Sequence, residues 1–190
     1  MGGGVEPTPH MMQVAMIHRL LLACLLCLGL EAQDSVVILL RHAEKTSRRM
    51  NAELSSAGRL RAERLPEELA RFQPTALFAS DLRRTQQTLE PLAKQIHRPI
   101  QIYDRGSELA LGQSLLVRCA GATVVVCGHS DTLTDLVRGL GYPEVFPEVS
   151  GFDRYWVLRV PGTGGTVTLE EHRQRPLPPP NRAPVPGNKP

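Results

Sequence analysis

Three polar clusters each follow an apolar run: Arg41 and His42 after Val36–Leu40 (VVILL), Ser80 with Arg83 and Arg84 after Ala76–Ala79, and Gly128, His129 and Ser130 after Thr123–Cys127 (TVVVC). Two imidazoles and at least two guanidinium groups brought together would neutralise a dianion such as a phosphoryl group. A neutral imidazole nitrogen can attack phosphorus in line and be regenerated by water. Fixed positive charge around the transferring group is most of what that reaction asks of a protein, so such a set needs neither metal nor cofactor. Taken singly, each cluster has an ordinary explanation, since an isolated Arg-His pair, a Gly-His turn or arginines opening a helix are commonplace. Their joint placement at strand ends makes them a candidate site.

The elements that must position them are legible. Val36–Leu40 and Thr123–Cys127 are short, β-branched and unbroken by polar residues, the pattern of strands covered on both faces. Ala76–Ala79 and Ile100–Tyr103 are further short strands, and Tyr155–Val160 and Val167–His172 flank a Gly-rich turn as late strands. Between Ser55 and Phe72, Gly58, Ala62, Leu65, Leu69 and Phe72 fall at helical spacing, with Pro66 expected to kink or split the helix. Thr85, Leu89, Leu92 and Ile96 mark a second helix that Pro91 could bend. Ser107–Arg118 reads as a third, and Leu133, Leu136, Val137 and Leu140 as a fourth ending near Gly139 or Gly141. Alternating strands and helices predict an α/β fold, a three-layer α/β/α sandwich with a mostly parallel central sheet. Ligands in such sheets bind at the carboxyl edge, where helices starting just after Ser80 and His129 would aim backbone N–H groups at an anion.

The motifs then become specific. Leu40-Arg41-His42-Ala43-Glu44 resembles the Arg-His-Gly signature of the histidine phosphatase superfamily, branch 1, a phosphoglycerate mutase-like group that includes small exported phosphatases of bacterial type. Leu54-Ser55 with Gly58, Ala62 and Leu65 resembles the family's following helix. Ser80 to Thr88 (SDLRRTQQT) resembles its Ser-x-Leu-x-Arg-x-x-x-Thr motif, and Val126 to Ser130 (VCGHS) its Gly-His motif. The four occur in the family's order, with Ala43 where glycine is usual. The resemblance implies that His42 is the nucleophile, that Arg41, Arg84 and His129 clamp the phosphoryl oxygens, and that Ser130 assists in binding substrate.

The proton donor for the leaving group is open between Glu108 and Asp131. Glu108 follows the third strand, roughly where the family often places an acidic residue. Asp131 lies at a helix start, where a carboxyl tends to stay ionised, so Glu108 is preferred. His97 and His172 take structural readings, and Arg48 and Arg49, which could meet substrate, read as solvated loop arginines.

The frame is a chain of 190 residues, 42% hydrophobic, enough for one core. Leu20–Leu30 (LLLACLLCLGL) has the length of a secretory h-region and not of a membrane span. Residues 1–33 therefore read as a leader cleaved near Ala32, placing the product in the periplasm or outside the cell, with lipidation at Cys24 the lesser reading. Without residues 1–33, 21 basic and 17 acidic residues leave a net charge of +4, which is no nucleic-acid signature. The expected partner is a small phosphorylated substrate, with no stable membrane span after cleavage.

Residues 34–175 make the catalytic domain, and 176–190, with seven prolines in fifteen residues, a disordered or polyproline-like tail. Cys119 and Cys127 should remain thiols, both buried. A strand over Ala122–Cys127 separates them by about 16 Å, against the roughly 7 Å a disulfide spans. The expected activity is hydrolysis of phosphate monoesters through a phosphohistidine. A mutase-like phosphotransferase and a phospholigand-binding module without turnover are the alternatives.

Overall fold

A computed structural model describes residues 33–177. The leader, the Cys24 site and the tail from residue 178 onward lie outside them. In chain order the elements are β1 (Ser35–Arg41), α1 (Ser56–Leu69) with a 3-10 turn at Ala70–Phe72, β2 (Ala76–Ser80), α2 (Arg83–Ile96), β3 (Ile100–Tyr103), α3 (Glu108–Arg118), β4 (Thr123–Gly128), α4 (Leu133–Gly139), β5 (Arg154–Val160) and β6 (Thr168–Arg173). The sheet order is β3-β2-β4-β1-β5-β6. The first four strands are mutually parallel, and β5 runs antiparallel to both β1 and β6.

Side chains alternate across the pleat and so build two cores. Val37, Leu39, Val124, Val126 and Trp156 face one way, against Leu111 and Leu115 of α3 and Leu133, Leu136 and Val137 of α4. Ile38, Leu40, Val125, Cys127 and Val157 face the other way, against Leu65 and Leu69 of α1 and Leu89 and Leu92 of α2. The continuous apolar runs of β1 and β4 follow from this three-layer arrangement, since both faces of the central strands are covered.

Pro66 and Pro91 both lie inside continuous helices. Pro66 does not split α1 because Leu65 and Leu69 on either side of it are fully buried. Burying two leucines contributes about 2 kcal/mol each, more than the roughly 3 kcal/mol an interior proline costs. Cys119 and Cys127 are free thiols, but only Cys127 is buried. Pro176, the first residue of the expected tail, is held where its carbonyl accepts from Arg64 Nη1 at 2.6 Å, and Arg175 pairs with Glu67 and Glu68 of α1. No helix among the described residues is long and apolar enough to cross a membrane.

Candidate active site

Register alone brings the three polar clusters together. Arg41 pairs with Gly128 and Ala79 with Cys127, so β1, β4 and β2 end side by side with His42, His129 and Ser80 on one edge. The His42 amide extends the ladder by donating to Gly128 O at 3.0 Å. The two imidazole centroids are 5.4 Å apart, close to the roughly 4.8 Å spacing of adjacent strands. Both rings are buried.

Hydrogen bonds fix both tautomers. His42 Nδ1 lies 2.7 Å from the Ala43 carbonyl, which can only accept, so Nδ1 carries the proton and Nε2 keeps a lone pair. For His129, Nδ1 lies 3.2 Å from Arg84 Nη2 and Nε2 lies 2.9 Å from Ser80 Oγ. A guanidinium only donates, so His129 Nδ1 accepts and its Nε2–H donates to Ser80. Ser80 Oγ in turn lies 2.9 Å from Thr85 Oγ1, which donates to Leu82 O at 2.7 Å. Burial first, and then the repulsion of nearby cations including Arg84, lowers the His42 pKa to about 4 and that of His129 to about 3. Both rings are neutral at pH 7.

The arginines are placed from opposite sides. Arg41, the last residue of β1, donates from Nη1 to Gly151 O at 3.2 Å, and its guanidinium carbon lies 4.4 Å from the centroid of Phe152. Phe152 also packs 5.9 Å from the His42 ring. Arg84, in the first turn of α2, holds the Met50 carbonyl through Nη1. The Nε atoms of Arg41 and Arg84 are buried without a hydrogen-bond partner. Two cationic donors left idle in a buried site have a desolvation cost that an oxyanion would offset. Burial also presses both guanidinium groups below their ordinary pKa.

The turn after His42 is supported by the motif residues around it. Thr88 Oγ1 accepts from Ala43 N at 3.0 Å and donates to Arg84 O at 2.7 Å, tying the peptide after His42 to α2. The Ala43 methyl, standing where the signature has glycine, packs with Leu54 and Ala62. Ser55 caps α1 by accepting from Gly58 N at 3.2 Å. A β-carbon on Gly58 would meet Glu44 O at 2.2 Å, so only glycine lets α1 approach this turn. Arg61 then grips the Glu44 carboxylate at 2.6 Å.

Not every expected residue joins the cluster. Glu108 opens α3 and is buried, with Oε2 accepting from Gly106 N at 2.7 Å and Oε1 unpartnered, but no hydrogen bond or ion pair links it to either histidine or to Arg41 or Arg84. Asp131 is exposed and ion-paired with Arg105. Ser130 is half-buried and makes no hydrogen bond among the described residues. Arg83 points outward to Glu53 at 2.8 Å. The expectation that a helix starts directly after His129 is corrected: α4 begins four residues later at Leu133 and has seven residues, because Thr132 N and Leu133 N first close a turn on the His129 carbonyl. His97 is the left-handed cap of α2, and His172 stacks on Tyr155. Phe152 and the loop carbonyls of Met50 and Gly151 were not identified from the sequence, since backbone groups and an aromatic in an irregular loop leave no periodic signal.

Residues 37–115 match the family model for the histidine phosphatase superfamily (branch 1). No curated protein sequence matches the chain. Among solved structures, Bacillus stearothermophilus YhfR is similar with a TM-score of 0.62 at 19% identity, over 75% of this chain and 98% of that one. The protein histidine phosphatase SixA complexed with tungstate is similar at 0.60 and 19% identity, over 73% and 96%. A mycobacterial glucosyl-3-phosphoglycerate phosphatase reaches 0.55 at 15% identity, over 73% and 97%. Its signature residues are gathered on one sheet edge and its fold is shared with these structures, and residues 37–115 carry the likeness to branch 1 of the histidine phosphatase superfamily.

Proposed function

We propose that this chain hydrolyses phosphate monoesters through a phosphohistidine formed on His42, with residues 34–175 as the catalytic domain. The observation that carries the reading is the His42 tautomer: Nδ1 is committed to the Ala43 carbonyl, which leaves Nε2 its lone pair, and the buried Nε donors of Arg41 and Arg84 have no partner. In the first step His42 Nε2 attacks phosphorus, the P–N bond forms, and the P–O bond to the alcohol breaks. Arg41, Arg84 and His129 hold the equatorial oxygens, with Ser130 at the rim, and Glu108 gives its proton to the departing oxygen. Water then attacks the phosphohistidine, Glu108 recovers a proton, and inorganic phosphate leaves with His42 neutral again. Glu108 is preferred to Asp131 because its Oε1 is buried and unspent, whereas Asp131 is neutralised in solvent by Arg105.

Phosphate release from 4-nitrophenyl phosphate tests the reading. Turnover should fall at least about a thousandfold in His42→Ala, and saturable phosphate binding without turnover in the unmodified chain would instead identify a binding module. Glu108→Gln should slow phenyl phosphate more than 4-nitrophenyl phosphate, because only the poorer leaving group depends on protonation. Equal slowing removes Glu108 from the reaction. Export rests on the apolar run Leu20–Leu30 and is tested by sequencing the amino terminus of the mature protein, which should begin near residue 33.

A further inference from the structure

The 3-10 turn that ends α1 sets Arg71 and Phe72 against the sheet face built by the late strands. Alternation along β6 puts Glu170 and His172 on that face, and register places His172 opposite Tyr155 and Glu170 opposite Val157 of β5. Val36, near the start of β1, pairs with Arg159. Val36, Arg71, Phe72, Arg159, Glu170 and His172 line a cavity of about 380 Å3, within the size range of small-molecule sites. Val36 and His42 are six residues apart, so the cavity lies about 20 Å along β1 from the catalytic edge. A ligand small enough for the cavity does not reach the phosphoryl site.

The polar groups around it are incompletely matched. Arg71 donates from Nη2 to the Tyr155 hydroxyl and to His172 Nδ1, each at 3.3 Å, and its guanidinium carbon stands 4.6 Å from the Phe72 ring centroid. Neither acceptor carries a charge, and among the described residues Arg71 pairs with no carboxylate. A guanidinium only donates, so His172 Nδ1 accepts and Nε2 carries the proton. That Nε2 is buried without a hydrogen-bond partner, Glu170 Oε2 lying 3.4 Å away without forming one. A buried donor left unpaired has a desolvation cost that an acceptor on a ligand offsets. The aromatic walls are already assembled: His172 stacks on Tyr155 with centroids 5.1 Å apart, and Phe72 meets His172 edge-on at 6.2 Å.

We propose that this cavity is a second ligand site, separate from the phosphoryl pocket, which binds a small organic monocarboxylate with a flat apolar body, its carboxylate at Arg71 and His172 and its body against Phe72. Arg71 and Arg159, set against the one carboxylate of Glu170, leave the lining with a single positive charge that a monoanion neutralises. The planar guanidinium fork matches a carboxylate in geometry as well as in charge. Glu170, 3.7 Å from Arg159 Nε, repels a dianion such as a phosphate ester, so the two sites select different ligands.

Benzoate is the probe, titrated into the full nitrogen-labelled chain while NMR follows the His172 ring nitrogens and the Arg71 side chain. The proposal predicts saturable shifts at both residues with a Kd below about 1 mM, and binding of the neutral analogue benzyl alcohol at least about tenfold weaker. Arg71 is exposed, so Arg71→Gln should keep its Tm within a few degrees while weakening benzoate at least about tenfold, read at His172. Arg84→Gln, in the phosphoryl pocket, should leave benzoate binding as it is. Shifts that vanish in Arg84→Gln and persist in Arg71→Gln would place benzoate in the phosphoryl pocket and overturn the proposal. The absence of saturation at His172, or benzyl alcohol binding as tightly as benzoate, would overturn it as well. The readout is binding, so none of these outcomes bears on turnover at His42.

Discussion

Arg84 Nη2 lies 3.2 Å from His129 Nδ1, a contact in which a cation donates to a ring nitrogen that must therefore be unprotonated. The contact can persist only while no oxyanion competes for the guanidinium. With phosphate or a stable oxyanion analogue bound, Arg84 should turn to the ligand and His129 should gain basicity from the added negative charge. Nitrogen NMR of labelled histidine should show His129 in its Nε2–H form at pH 7 in the free protein, with its pKa rising from about 3 on anion binding. An Nδ1–H tautomer in the free protein would contradict the network through Ser80 and Thr85.

The same two histidines make stability depend on pH. Their folded pKa values, about 4 and about 3, lie below the ordinary value of 6.5, so between these limits the unfolded chain binds more protons than the folded one. Stability is then greatest above pH 6.5 and falls as pH drops through the window from about 6.5 to 4 and on to 3, by several kcal/mol. Thermal melts across that range should show the fall, and His42→Ala should flatten its upper part. A Tm that is constant down to pH 4 would mean that the rings are not buried as neutral groups.

Phe152 is expected to act through Arg41. Its ring lies 4.4 Å from the Arg41 guanidinium carbon and packs against His42, so Phe152→Ala removes a cation–π contact of about 1 kcal/mol and frees the guanidinium to wander. The variant should keep its Tm within a few degrees and lose about tenfold in kcat/KM, with Phe152→Leu intermediate because it restores packing without the π face. Unchanged kinetics in Phe152→Ala would show that Gly151 O alone holds Arg41.

Gly58 tests the architecture. A methyl there would stand 2.2 Å from Glu44 O, backbone that cannot swing away as a flexible side chain would. Gly58→Ala should therefore cost about 2–3 kcal/mol despite alanine's better helix propensity, and activity should fall with it, because the displaced turn carries His42. A stabilised variant would show that α1 does not rest on the turn.

How much of this the sequence carries follows from which interactions are periodic. The strands β1 and β4 were readable because both their faces are buried, so apolar residues run without a break, and α1 and α2 because their buried residues recur at three and four. The gathering of His42, His129, Ser80 and Arg84 was legible through motif order, although the distances await the register of Arg41 on Gly128. Pro66 does not split α1 because its local penalty is outweighed by tertiary burial. The start of α4 misleads because the turn on the His129 carbonyl is made by backbone atoms that any residue supplies. Phe152 and Met50 reach the site from loops whose path is set by long-range hydrogen bonds to Arg41 and Arg84. No local pattern encodes those.

The most direct measurement is to quench the chain during turnover of a labelled phosphate ester and map the protein-bound label. A phosphohistidine keeps its phosphate in alkali, loses it in acid, and should reside on the peptide containing His42. Label that survives acid, or that maps to another residue, would contradict nucleophilic attack by His42 Nε2.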